Sequence, residues 1–144
     1  MTEKPRIAVT MGDPAGVGPE VVLKALSNPR IHPVDQYIVI GNHEVLQRAA
    51  ALLETELDLT RIDTLEEITR EHNKAYVIEQ PPTPTEGFPK CRVDALCGQA
   101  AVNYILCAID LASAGLIDAI ATAPINKAAL QAAGIPFKGH TELL

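Results

Sequence analysis

The chain has no tryptophan, two phenylalanines, three tyrosines and only three cysteines among its 144 residues. It also has no excess of positive charge: 12 Lys and Arg against 18 Asp and Glu give a net charge of −6. Few aromatics and an acidic balance argue against nucleic-acid partners, which need a cationic footprint and stacking surfaces. Cys91, Cys97 and Cys107 are separated by six and ten residues, with no C-x-x-C pair. That spacing is neither a disulfide framework nor a zinc knuckle, and none of the three is given a role. No uninterrupted apolar run approaches a membrane span, and the start Met1-Thr2-Glu3-Lys4-Pro5 lacks a signal-peptide core, so no membrane is expected and a cytoplasmic location is. What remains is 47% hydrophobic, enough for one ordinary folded domain.

Short β-branched runs alternate with helical patterns. Strands are expected at Ile7–Thr10, Tyr37–Ile40, Ala75–Ile78 and Ile117–Ala121. Pro19 and Glu20 open a first helix with Val21, Val22, Ala25 and Leu26 on its inner face, ended by Asn28-Pro29. Asn42 suits the N-cap of a second, burying Val45, Leu46, Ala49, Leu52 and Leu53. Thr64 and Glu67 have capping-box spacing for a short helix to about Arg70. Prolines crowd residues 81–89 into an irregular loop. The longest helix is expected from Gly98 to Ala114 with Val102, Ile105, Leu106, Ile109 and Ala112 inward, and a short one from Pro124 to Ala133. This alternation predicts an α/β fold, a mostly parallel sheet flanked by helices, with ligands at the carboxyl ends of its strands.

Three segments fall at such ends. The turn Thr10-Met11-Gly12-Asp13-Pro14-Ala15-Gly16-Val17-Gly18-Pro19-Glu20 spaces its glycines G-x-x-x-G-x-G, which is neither the dinucleotide fingerprint nor a P-loop. Two readings stay open: backbone brought close to an anion at a helix start, or a plain strand-to-helix turn. In Thr122-Ala123-Pro124-Ile125-Asn126-Lys127, Lys127 falls in a first helical turn, where the macrodipole disfavours a cation, and this makes it a catalytic candidate against the alternative of a solvated surface lysine. Gly139-His140-Thr141-Glu142 sets an imidazole beside a hydroxyl. His32, His43 and His72 read as surface residues with no metal-ligand spacing.

Taken in this order, the three segments resemble the 4-hydroxythreonine-4-phosphate dehydrogenase family. The resemblance runs the length of the chain and covers only the N-terminal portion of the family pattern, whose members are usually more than twice as long. It implies a fold similar to isopropylmalate and isocitrate dehydrogenases, with two α/β domains and an active site at a homodimer interface. Residues 1–144 would then be the N-terminal portion, without a complete second domain. It further implies oxidation of 4-phosphooxy-L-threonine by NAD or NADP with a divalent metal (Zn, Mg or Co), then decarboxylation to 3-amino-2-oxopropyl phosphate for pyridoxal phosphate synthesis. His140 and Thr141 match the family's substrate-binding pair, and the turn holding Gly12, Asp13, Gly16 and Gly18 is placed in the cleft with a cofactor-binding or structural role. The family's metal-binding histidines fall beyond Leu144, so no residue here is assigned to a metal. Relatives with similar motifs act on D-threonate or D-erythronate 4-phosphate, and nothing in 144 residues reads the C2 substituent that differs. The rival expectation is a non-catalytic α/β module that binds an anion.

Overall fold

The computed structural model describes residues 4–31, 36–69, 71 and 73–144. Five strands form one sheet in the order β3-β4-β2-β1-β5, every neighbour pair parallel: β1 (Arg6–Thr10), β2 (Gln36–Gly41), β3 (Asp58–Ile62), β4 (Lys74–Glu79) and β5 (Ala119–Thr122). Ile38, Val39 and Ile40 of β2 are fully buried, the continuous apolar run of a strand covered on both faces. Its register aligns Val9 with Val39 on one side and Val39 with Val77 on the other.

Five α-helices connect and cover the strands: α1 (Gly18–Leu26), α2 (His43–Leu52), α3 (Ala95–Ser113), α4 (Lys127–Ala132) and α5 (His140–Leu143). The crossovers β1-α1-β2 and β2-α2-β3 step toward one edge of the sheet, whereas β4-α3-β5 steps back over β2 and β1. Right-handed crossovers in opposite directions place their helices on opposite faces. Accordingly α1 packs with α2, while α3 lies across β2, β1 and β5 and carries α4 on its flank. Gly98 makes that last contact possible, because a Cβ there would land on the Ala129 carbonyl oxygen.

Several local expectations are corrected. The strand β3 was not expected; its DLTRI sequence shows one buried residue, Ile62, and is polar at its outer positions because it is a sheet edge. The inner face of α1 is Val22, Leu23 and Leu26, with Val21 and Ala25 exposed, a rotation set by packing on α2. In α2, Asn42 does cap, accepting from the Val45 amide at 3.0 Å, but Leu52 is 75% exposed. The helix α3 starts three residues earlier than expected, at Ala95, because Asp94 caps it by accepting from the Leu96 amide at 2.8 Å. Its inner face runs through Cys97, Ala101, Tyr104, Ile105 and Ala108, so Leu106 is exposed and Ile109 and Ala112 are half-buried. By length and composition α3 could cross a membrane, with mean hydropathy 1.5 over its most apolar stretch, contrary to the absence of such a run; its packing on the sheet makes it the central core helix instead. The strand expected at Ile117–Ala121 is Ala119–Thr122, and the short helix begins at Lys127 rather than Pro124 because Asn126 caps it, accepting from Ala129 N at 3.1 Å. Thr64 and Glu67 form their capping box on a single 3-10 turn, residues 65–67. His43 is half-buried, its Nε2 donating to the Leu59 carbonyl at 2.9 Å. His32, His72 and the Arg70 end of the expected short helix lie outside the described residues.

Candidate functional site

At the carboxyl edge of the sheet, β1 and β5 run side by side and their following turns meet. The direction of chain crossover reverses between these strands, which is where open α/β sheets form a crevice. Two backbone bonds extend the pairing beyond the strands: Ala123 N donates to Thr10 O at 3.0 Å and Asp13 N donates to Pro124 O at 3.1 Å. Gly12, with φ of 76°, leaves no room for a side chain, because a Cβ would strike the Pro124 carbonyl oxygen. Gly18 is likewise occupied, its Cβ direction blocked by the Met11 carbonyl oxygen. These two glycines admit the chain's own backbone. Gly16 has only ordinary contact with Asp13 in that direction.

Asp13 is 3% exposed and locks the turn: its Oδ1 accepts from Ala15 N at 2.7 Å. Burial raises its pKa above the ordinary carboxylate value; the Ala15 amide opposes that shift and the Asp94 carboxylate adds to it. Beneath it, Cys97 is fully buried and its thiol is pushed up to about 12 by burial, reinforced by Asp13 and Asp94. A thiol held protonated in this way is no nucleophile at neutral pH. Asp13, Gly16, Val17, Arg92, Val93 and Asn126 border an open cleft of about 490 Å³. The 81–94 loop is held to it by Cys91 N donating to Ala15 O at 3.0 Å.

The other side of the Pro124–Asn126 turn borders a second cleft, also about 490 Å³, lined by Lys127, Lys138, Gly139, His140, Thr141 and Glu142 along with Pro124 and Ile125. Lys127, the first residue of α4, is exposed, as are Lys138 and Thr141. His140 opens α5; its Nε2 is buried and has no hydrogen-bond partner among the described residues. The structure therefore brings Lys127, His140 and Thr141 into one cleft and Asp13, Gly16 and Asn126 into the next, with the Pro124–Lys127 segment between them. Lys138 was missed from the sequence, since an exposed lysine in a loop carries no local signal. Among the described residues no three His, Cys, Asp or Glu side chains come together to hold a metal ion. Nor do Gly12 and Gly18 offer an empty cradle for a pyrophosphate, since backbone already fills both.

The family model described as "Pyridoxal phosphate biosynthetic protein PdxA" matches residues 33–144. The chain belongs to the PdxA family. A 4-hydroxythreonine-4-phosphate dehydrogenase from Beijerinckia indica is 44% identical over 140 residues, 96% of this chain and 40% of that protein. A D-threonate 4-phosphate dehydrogenase from Cupriavidus necator is 40% identical over 140 residues, 97% of this chain and 42% of that protein. The crystal structure of a 4-hydroxythreonine-4-phosphate dehydrogenase from Burkholderia phymatum superposes with a TM-score of 0.91 at 39% identity, covering 99% of this chain and 43% of that one. A terephthalate 1,2-cis-dihydrodiol dehydrogenase from Burkholderia xenovorans superposes with a TM-score of 0.73 at 25% identity, covering 94% of this chain and 38% of that one. The chain thus spans less than half the length of the PdxA relatives it matches.

Proposed function

We propose that the full-length protein containing this chain is an NAD(P)-dependent, divalent-metal-dependent dehydrogenase of a phosphorylated four-carbon hydroxy acid. The preferred substrate is 4-phosphooxy-L-threonine, oxidised at its secondary alcohol and then decarboxylated to 3-amino-2-oxopropyl phosphate. The observation that carries this reading is the PdxA match over 33–144, joined to a cleft at the carboxyl edge of the sheet in which His140 and Thr141 stand together. A bound nicotinamide would supply the hydride acceptor for this oxidation, and the β-keto acid so formed is of a kind that loses CO2 readily. His140 and Thr141 bind and orient the substrate in this scheme, as imidazole and hydroxyl donors that fix its polar end against the Pro124–Lys127 wall. Asp13 holds the neighbouring turn and is the cofactor-side candidate together with Gly16, whereas Gly12 and Gly18 serve the packing of the turn. Lys127 remains a candidate for proton transfer at the cleft rim. No step is assigned to a metal, because the described residues contain no ligand set for one. A homodimer in the cytoplasm is part of the same proposal.

A second reading has its own support. Relatives named for D-threonate 4-phosphate match as well as those named for 4-hydroxythreonine-4-phosphate, at 40% and 44% identity. The two substrates differ at C2, hydroxyl against amine. The deciding experiment supplies the full-length protein with a divalent metal, NAD or NADP and each substrate in turn, and follows reduced nicotinamide. Turnover of 4-phosphooxy-L-threonine alone selects the first reading and turnover of D-threonate 4-phosphate alone the second. No reduction with any four-carbon 4-phosphate would overturn both. The 144-residue chain by itself is expected to show no dehydrogenase activity.

A further inference from the structure

We propose that the cavity walled by α1, α2 and the 81–94 loop binds a small apolar amino acid as its zwitterion. The cavity measures about 150 Å³ and shares no lining residue with the cleft of His140 and Thr141, so the inference is independent of the substrate reading. A space of that size admits a single ring or a branched side chain and excludes a nucleotide. Val45, Ala49 and Leu52 of α2 and Phe88 of the loop make its lining apolar, together with Pro14 and Pro19 of the turn after β1. Leu52 is 75% exposed, so the cavity mouth keeps apolar surface in water that an aliphatic side chain would cover.

Three charges stand on the same lining, one from each element: Glu20 on α1, Arg48 on α2 and Lys90 on the loop. Glu20 and Lys90 have no ion-pair partner among the described residues, a property that Lys24 and Arg30 share and that decides nothing alone. What decides is placement: one anion and two cations around one apolar space match an ammonium and a carboxylate carried on the same carbon. A plain carboxylic acid would leave Glu20 against it, and a plain amine would meet the two cations. Arg48 is the group least satisfied with the cavity empty. Its Nη2 donates to Glu44 at 2.8 Å, but its Nε is buried and has no acceptor among the described residues. A small swing of the guanidinium brings that N–H to an entering carboxylate, an acceptor the fold itself does not provide.

L-Leucine is the probe, titrated by calorimetry into the full-length protein at neutral pH and constant ionic strength. The comparison ligands are 4-methylpentanoate, which lacks the ammonium, and 3-methylbutylamine, which lacks the carboxylate. Leucine is expected to saturate with a Kd below about 1 mM and to bind about tenfold tighter than either. Glu20→Gln should weaken leucine about fivefold and leave 4-methylpentanoate no weaker. Arg48→Gln should weaken leucine and 4-methylpentanoate alike and leave 3-methylbutylamine no weaker. Ala49→Met, which fills the apolar end, should abolish binding of all three; if that variant fails to fold, the two charge variants decide by themselves. No saturation by about 10 mM, no preference for leucine over the two analogues, or leucine binding unmoved by both charge substitutions would each overturn the proposal. So would leucine binding lost in His140→Ala but kept in Glu20→Gln, since the amino acid would then sit in the other cleft.

Discussion

Gly18, which opens α1 after the β1 turn, and Gly139, which precedes α5, stand in opposite surroundings. Around Gly18 the space where a side chain would stand is filled by the Met11 carbonyl, with the Ala123 methyl close behind. A Cβ added at Gly139 would meet no non-neighbouring atom within 4 Å, and its φ of 171° is extended backbone open to any residue. The first region is closed by backbone on backbone, so it fixes the relative position of β1 and β5. The second is open and bears exposed charges and a hydroxyl. Precision and candidate chemistry are thus separated: the packed junction holds the frame, and the open loop carries the polar groups proposed to meet a ligand.

Substitution at the two glycines tests that contrast most severely. Gly18→Ala is expected to destabilise the fold by about 3 kcal/mol, since the added methyl can be accommodated only by prising the turn from β1. Gly139→Ala should change stability by less than about 0.5 kcal/mol. Gly16→Ala, whose Cβ would meet Asp13 no closer than 3.6 Å, should resemble Gly139→Ala despite sitting two residues from Gly18. Denaturant unfolding of the three variants decides this, and equal losses at 16 and 18 would show that the turn is not closed in the way described.

The next effect is on function. His140→Ala in the full-length protein is expected to raise KM for the phosphorylated substrate about tenfold or more, while the unfolding midpoint barely moves. The side chain contributes no hydrogen bond through Nε2 that folding would lose. Unchanged kinetics would remove His140 from the site. A large loss of stability would make it part of the frame and erase the distinction between the two regions.

How much of this was legible beforehand follows the same division. The elements with strong periodicity or a clear cap were readable: β2 from its unbroken apolar run, α2 from Asn42, and the order of strands and helices from their alternation. The edge strand β3 was not, because a strand covered on few sides needs little apolar sequence, and Asp58, Thr60 and Arg61 read as loop. The inner faces of α1 and α3 were off by part of a turn, since apolar residues outnumber the buried positions and only packing chooses among them. His140, Thr141 and Lys127 were singled out from their motifs, and the structure places all three on one cleft. What the glycines do was not legible: composition shows that residues 12 and 18 are small, and only the structure shows that main chain occupies the space.

Two smaller effects probe the buried side of the junction. Tyr104 is fully buried in α3 and its hydroxyl has no hydrogen-bond partner among the described residues; burial drives its pKa far above the ordinary phenol value. Removing an unsatisfied buried hydroxyl relieves a desolvation cost, so Tyr104→Phe is expected to stabilise the fold by about 1 kcal/mol. A loss of that size would instead reveal a partner for the hydroxyl.

Asp13 gives the smallest effect, and it is one of slope. Its carboxyl has an ordinary value of 3.8 when unfolded and a higher one when folded, raised chiefly by burial. Between those two values the native state holds a proton that the unfolded chain has released. Stability therefore falls as pH rises through that window, and stays at the lower level above it. Asp13→Asn keeps an oxygen to accept the Ala15 amide but cannot ionise, so this component of the pH dependence vanishes. Unfolding measured from acid to neutral pH should show the variant gaining on the wild type as pH rises, then a constant difference. Parallel curves would mean that Asp13 is as well solvated when folded as when unfolded, and that the junction is wetter and looser than its backbone contacts imply.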